Sequence, residues 1–234
     1  MRRSELEALN AARRAREAVL MVTPLAGGPG RLVHRADIEA DPLRDQLLAR
    51  LASGKSGREA TAEGDVFIRV HRPPQRLVVI GAVHVTQTLA PMAAMAGFEV
   101  TVVDPREAFA TQDRFPGVTV HAQWPDEEVL SLDADTAVAA LTHDPKIDDP
   151  ALEAALRADC FYIGALGSRK THGKRVDRLT SAGFTEAQIS RIHAPIGLPI
   201  GAASPAEIAV AVLAEVIGAL RKGTRMVPAM PAAA

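Results

Sequence analysis

One cysteine, Cys160, stands among 234 residues, which excludes an intrachain disulfide and a cysteine-rich metal site. Aromatic residues make up only 3%, so the core has to be aliphatic and a surface for stacking nucleobases is not expected. Neither sign of charge prevails: 27 Lys and Arg oppose 28 Asp and Glu, for a net charge of −1. No global field therefore draws the chain to nucleic acid or to an anionic membrane. No uncharged apolar run reaches the roughly 20 residues of a membrane span. The opening residues, Met1 to Glu7, run into charge instead of an apolar signal core. These absences lead to the expectation of a soluble, cytoplasmic chain with no nucleic-acid partner and no membrane span.

What is present is the material for a packed α/β protein. Hydrophobic residues are 47% of the sequence, and its length suits one full α/β domain plus a small appendage. The rest is organised around Arg76–Thr86. There an apolar, β-branched run ends in Gly81 and a helical pattern begins within three residues. A second apolar run, Phe98–Val103, closes on Asp104, 23 residues after Gly81. Strand, glycine turn, helix, strand and acid in that order make a mononucleotide-binding βαβ unit, with Asp104 at the spacing that reaches a ribose hydroxyl.

Before this unit, residues 4–18 predict a short charged helix with a thin alanine stripe, and Val19–Thr23 a strand. Asp41 to Ala52 predicts a helix with Asp41 as N-cap and Pro42 at its first position. Asp65–His71 alternates like a half-exposed strand, and Arg72–Gln75 reads as a linker. Gly54-Lys55-Ser56 is read as an inter-element turn and not a phosphate loop, because Ala49 stands where that motif needs its first glycine. Strands are expected at 118–121, 136–141 and 160–163, and helices from Asp149-Pro150 to Arg157, from Ser168 to about Ala182 and from Pro205 to Leu220. Pro91 should kink the first helix of the βαβ unit. The fold class is α/β: a Rossmann-like doubly wound parallel sheet with a small N-terminal α+β domain. The domains are set at 1–74 and 75–222, with a fraying tail at 223–234.

In such sheets ligands bind outside the carboxyl ends of the strands, at the switch point. Gly81 permits the tight turn, but Val83 and Thr86 replace the second and third glycines of the dinucleotide fingerprint, so a β-branched side chain obstructs a pyrophosphate. The helix end after Gly81 still offers N–H groups to an anion, and a vestigial site is the competing reading. Thr142-His143-Asp144 lies at the end of the strand over 136–141. His143 and Asp144 could bind or protonate a ligand, or serve only as cap and turn before Pro145. Gly164 to Arg175 is a second candidate: Ser168 suits an N-cap, and Arg169, Lys170, His172, Lys174 and Arg175 crowd a helix start whose dipole disfavours cations. A bound phosphate would resolve that conflict; a solvated basic face is the alternative. Ser204-Pro205-Ala206-Glu207 has the form of a capping box, and Cys160 reads as a small core residue.

Taken together, these stretches resemble the XdhC/CoxI family of molybdenum-hydroxylase maturation factors. The resemblance is carried by Gly81-Ala82-Val83-His84-Val85, Asp104-Pro105-Arg106, Leu141–Lys146, Tyr162–Arg169 and Ala194–Ala202, and spans about residues 75–222. It implies a protein without catalytic or metal-ligating residues of its own. Such a protein binds molybdenum cofactor (molybdopterin), protects it during sulfuration and delivers it to a xanthine-dehydrogenase-like molybdoenzyme. A cysteine desulfurase as a further partner and a homodimer are also implied. The cofactor-binding residues it points to are Gly81, Ala82, His84, Asp104, Arg106, Thr142, His143, Asp144, Gly164, Gly167, Ser168 and Arg169. Two departures stand out: Val83 occupies a position usually held by glycine in the family, and residues 1–74 hold no cysteine, which removes the basis for ligation by an N-terminal thiol. The alternatives are an NAD(P)-dependent oxidoreductase, with Asp104 selecting NAD or Arg106 admitting a 2′-phosphate, and a degenerate Rossmann module acting by protein contact alone.

Overall fold

The computed structural model describes residues 3–222, so the expected tail at 223–234 lies outside the described residues. The chain divides into two compact units at Pro73–Pro74. The first unit contains α1 (Arg3–Arg14), β1 (Val19–Pro24), β2 (Arg31–His34), α2 (Arg44–Ser53), β3 (Gly57–Glu59) and β4 (Val66–His71). Its four strands form an antiparallel sheet in the order β2-β1-β4-β3. Leu20, Val22, Val33, Ile38, Leu47 and Ile68 bury its core. Helix α2 starts later than the sequence predicts. Asp41 does not cap it: its carboxylate accepts from the Leu43 N–H at 2.9 Å and pairs with Arg31, which holds the turn ahead of the helix. Gly54 closes α2 in the left-handed conformation (φ +68°), the role of a helix C-terminal glycine and not of a phosphate loop.

The second unit runs β5 (Arg76–Ile80), α3 (His84–Met95), β6 (Glu99–Val103), β7 (Thr119–His121), α4 (Glu127–Leu130), β8 (Thr136–Ala140), α5 (Pro145–Arg157), β9 (Tyr162–Ala165), α6 (Arg169–Ser181), α7 (Glu186–Ile189), β10 (Ile192–His193) and α8 (Pro205–Lys222). Its six strands are all parallel, in the order β10-β9-β8-β5-β6-β7. This is the doubly wound Rossmann arrangement, with the order reversing between β5 and β8. Alternation along β5 explains the two layers. Leu77 and Val79 join the core under α3 and α8, while Val78 and Ile80 join the core under α5 and α6. Strands covered on both faces need continuous apolar runs, which β5 and the wholly buried β8 provide.

Two local expectations are corrected. Helix α5 begins four residues before Asp149: Asp144 caps it through the Lys146 N–H at 2.9 Å with Pro145 in its first turn, and Pro150 lies inside the helix. An Asp-Pro pair at the very start satisfies a free N–H and loses no bond, so it outcompetes the second Asp-Pro pair downstream. Cys160 precedes β9 instead of lying in it, and burial pushes its thiol up to about 12. Pro91, the residue expected to kink the first helix of the βαβ unit, lies inside α3.

Candidate functional site

The switch point is built by close approach of two strand ends. Gly81 has φ +111°, and a Cβ there would lie 2.7 Å from the Thr142 methyl carbon. Only glycine combines that backbone with that proximity. Asp104, at the end of β6, is fully buried and turned inward. Its Oδ2 accepts from the Ala82 N–H at 2.8 Å and from Arg106 Nη2 at 2.6 Å. Its Oδ1 accepts from the Arg106 N–H and Nε, both at 2.9 Å. Burial alone would raise its pKa, but the bonds from the Arg106 side chain and the two backbone N–H groups hold it below the usual carboxylate value. The acid expected to meet a ribose is thus already saturated, and one of the N–H groups expected to face an anion, that of Ala82, is spent on it. What Asp104 does is strap the glycine turn and aim Arg106.

Beside that strap lies a cleft of about 400 Å³ lined by Ala82, Val83, His84, Arg106, Ala108, Phe109 and Arg114. Phe109 is 47% exposed. The Arg106 and Arg114 guanidiniums lie 4.9 and 5.7 Å from its ring centre, within cation–π range. Arg114 is braced by the Ala82 carbonyl at 2.9 Å and the Phe109 carbonyl at 2.6 Å. Arg106 gives Asp104 its Nε and Nη2, and its Nη1 has no hydrogen-bond partner among the described residues. A mostly apolar cleft with two fixed cations suits a planar, anionic guest. Phe109 and Arg114 carried no sequence signal, because they reach the cleft from the loop between β6 and β7.

On the α5–α6 side, Asp148 organises the turn after β8. Its Oδ1 accepts from the Thr142 hydroxyl at 2.7 Å and the Thr142 N–H at 3.3 Å, and its Oδ2 from the His143 N–H at 3.1 Å. His143 takes φ +64° there, with its side chain exposed. Asp144 is consumed as the α5 cap, so the expected His–Asp pair divides into an exposed ring and a capping carboxylate. Burial pushes the Asp148 carboxyl up despite the Thr142 bonds. A second cavity, of about 210 Å³, opens between His143, Pro145 and the α6 residues Lys170, Thr171, Lys174, Arg175 and Arg178. Ser168 caps α6 through the Thr171 N–H at 3.2 Å. Arg169 is exposed and is not part of the cavity wall.

Gly164 answers to packing: a Cβ would come within 2.6 Å of the Ile196 side chain and of the Tyr162 hydroxyl. Gly167 has φ +135° in the turn before Ser168. Around Gly164 lies a buried cluster that sequence reasoning missed. Glu215 of α8 accepts from the Tyr162 hydroxyl at 2.6 Å and the Gly197 N–H at 2.7 Å, and it meets His193 Nδ1 at 3.0 Å. Its partners lie 18 to 53 residues away in sequence, so no local pattern announces it. Among the described residues, no group of three or more His, Cys, Asp or Glu is placed to hold a metal ion, and no helix is long and apolar enough to cross a membrane.

Comparison with known proteins places this geometry in a family. The chain is 35% identical over 174 residues to the uncharacterized protein YqeB of Escherichia coli K12, covering 73% of this chain and 32% of the relative. It is 33% identical over 145 residues to the molybdenum cofactor insertion chaperone PaoD of the same organism (62% and 40%). It is 36% identical over 157 residues to a probable xanthine dehydrogenase subunit of Bacillus subtilis 168 (65% and 45%). The chain therefore spans less than half the length of these relatives. A crystal structure described as a xanthine dehydrogenase from Bacillus halodurans superposes with a TM-score of 0.64 at 22% identity, over 98% of this chain and 67% of that one, and shares its fold. Residues 77–216, from β5 into α8 and including both cavity-forming turns, match the XdhC Rossmann domain, and the chain belongs to the XdhC family.

Proposed function

We propose that this chain is a cytoplasmic accessory protein that binds molybdenum cofactor as cargo and delivers it to a xanthine-dehydrogenase-like molybdenum hydroxylase. The observation that carries the proposal is the cleft beside Gly81, where Arg106 and Arg114 flank the exposed Phe109 ring. Molybdopterin combines a flat heterocycle with a phosphate, and an aromatic face between two guanidiniums complements both parts. The chemistry of the donor set fits such a guest. The names of the PaoD and Bacillus subtilis relatives support the same direction.

In this reading Gly81, Ala82 and Asp104 shape the turn, and Arg106 meets the guest's charge. His84 and the Thr142–Asp144 turn border it. Gly164, Gly167, Ser168 and Arg169 form the second helix entrance. The protein's task is binding and shielding, so affinity comes from preorganised cations and not from groups that must move.

The test is purification from a molybdenum-replete host, followed by oxidation and pterin fluorescence. Copurified pterin is expected, reduced roughly tenfold in Arg106→Ala, the scale of one lost charge-assisted contact. Protein free of pterin, with transfer to the apoenzyme no better than without it, would overturn the proposal. The free Nη1 of Arg106 favours one second reading, an NADP-linked oxidoreductase. Calorimetry with NADP(H) separates the two, since micromolar binding would favour the enzyme.

A further inference from the structure

The second cavity, between the start of α5 and the first three turns of α6, contains a feature that the protein's own contacts leave incomplete. Arg175 is only 2% exposed, yet its Nε and Nη1 have no hydrogen-bond partner among the described residues. Its Nη2 donates to the Leu166 carbonyl at 3.2 Å. The acid that pairs with it, Asp148, stands 3.9 Å away and is already engaged by Thr142 and His143. Burial lowers the Arg175 pKa, as expected of an undercompensated buried cation. A buried guanidinium with two idle nitrogens is costly, and an anion close by would offset its charge.

The surroundings supply what such an anion needs. Arg175 lines the cavity together with Lys170, Lys174, Arg178 and His143. Arg178 is held by Asp149, while Lys170 and Lys174 are exposed and form no salt bridge among the described residues. Thr171, beside them in the first turn of α6, adds a hydroxyl, and the helix dipole adds positive potential.

We propose that this cavity binds the terminal phosphate of a phosphate monoester, with Arg175 as its buried anchor and Lys170 and Lys174 closing over the anion. The site lies against the α5–α6 layer and not in the Arg106–Phe109 cleft, and the proposal requires no particular guest.

The test is calorimetry on the full chain with phenyl phosphate and with inorganic phosphate. Saturable millimolar or tighter binding of phenyl phosphate, displaced by inorganic phosphate, is expected. The exposed pair Lys170→Ala/Lys174→Ala, whose fold is checked by circular dichroism, should weaken it by roughly tenfold or more. Arg175→Met should abolish it, and if that variant fails to fold the lysine pair still decides. No saturable binding to the wild type, binding of inorganic phosphate with the monoester excluded, or unchanged affinity in the lysine pair would each overturn the site. Pterin copurifying with a chain that ignores phosphate would leave the cargo reading standing while this one falls. Phosphate binding to a chain that carries no pterin would do the reverse.

Discussion

Asp104 and Gly81 set the geometry of the cleft from opposite ends of one strap. The Asp104 carboxylate is held ionised by Arg106 and by the Ala82 and Arg106 N–H groups, so Asp104→Asn loses charge-assisted bonds and leaves a mismatched donor. The expected cost in urea unfolding at neutral pH is about 2 kcal/mol. Because the folded pKa lies below the ordinary value, this stabilisation is complete above the unfolded carboxylate range. It is lost as pH falls through the lowered folded value. The gap between wild type and variant should therefore close below roughly pH 4. A gap that persists unchanged into acid would contradict the assignment. Gly81→Ala meets both a left-handed backbone and the Thr142 methyl, while Gly97 (φ +94°) has open space around it. The first substitution should cost about 3 kcal/mol or more and Gly97→Ala about 1 kcal/mol, read as two midpoint shifts in the same denaturant series.

Between elements, Glu215 ties α8 to β9, β10 and the loop around Gly197. Burial opposes its charge, but the bonds from His193, Tyr162 and Gly197 prevail and lower its pKa. Glu215→Ala would strand the Tyr162 hydroxyl and the Gly197 N–H in the core, for an expected loss of about 3 kcal/mol. Tyr162→Phe removes one donor and should cost about 1 kcal/mol. Equal losses in the two variants would mean that the cluster is held by packing and not by its carboxylate. At the same scale, Asp148 reaches back from α5 to the Thr142–His143 turn, so the helix positions the wall of the phosphate cavity.

At the scale of the molecule, the two units keep separate cores. Leu20 to Ile68 fill the antiparallel unit, and the Rossmann unit is buried on both sheet faces by its own helices. A chain of residues 74–234 is therefore expected to unfold in one cooperative transition and to keep the phosphate affinity of the full chain. Circular dichroism melting and calorimetry check this; a fragment with no cooperative transition would show that the first unit supplies part of the second unit's stability.

Much of this architecture is legible in the sequence alone. Apolar runs at 77–80 and 137–141, a glycine after the first and an Asp at the end of the next strand are local patterns. Sheet, helix layers and switch point follow from them through general rules of handedness and burial. The Glu207 capping box is legible for the same reason: its partners Ala203 and Ser204 are four and three residues away. Tertiary structure alone decided how the charges are spent. Whether Asp104 faces a ligand or the backbone depends on where the Ala82 N–H lies, 22 residues distant in sequence. Whether Arg175 is a solvated cation or a buried one with idle nitrogens depends on how α5 and α6 meet. Periodicity encodes which face a residue takes, but the partner of a buried charge is set by chain segments far apart in sequence, and only folding brings them to hydrogen-bonding distance.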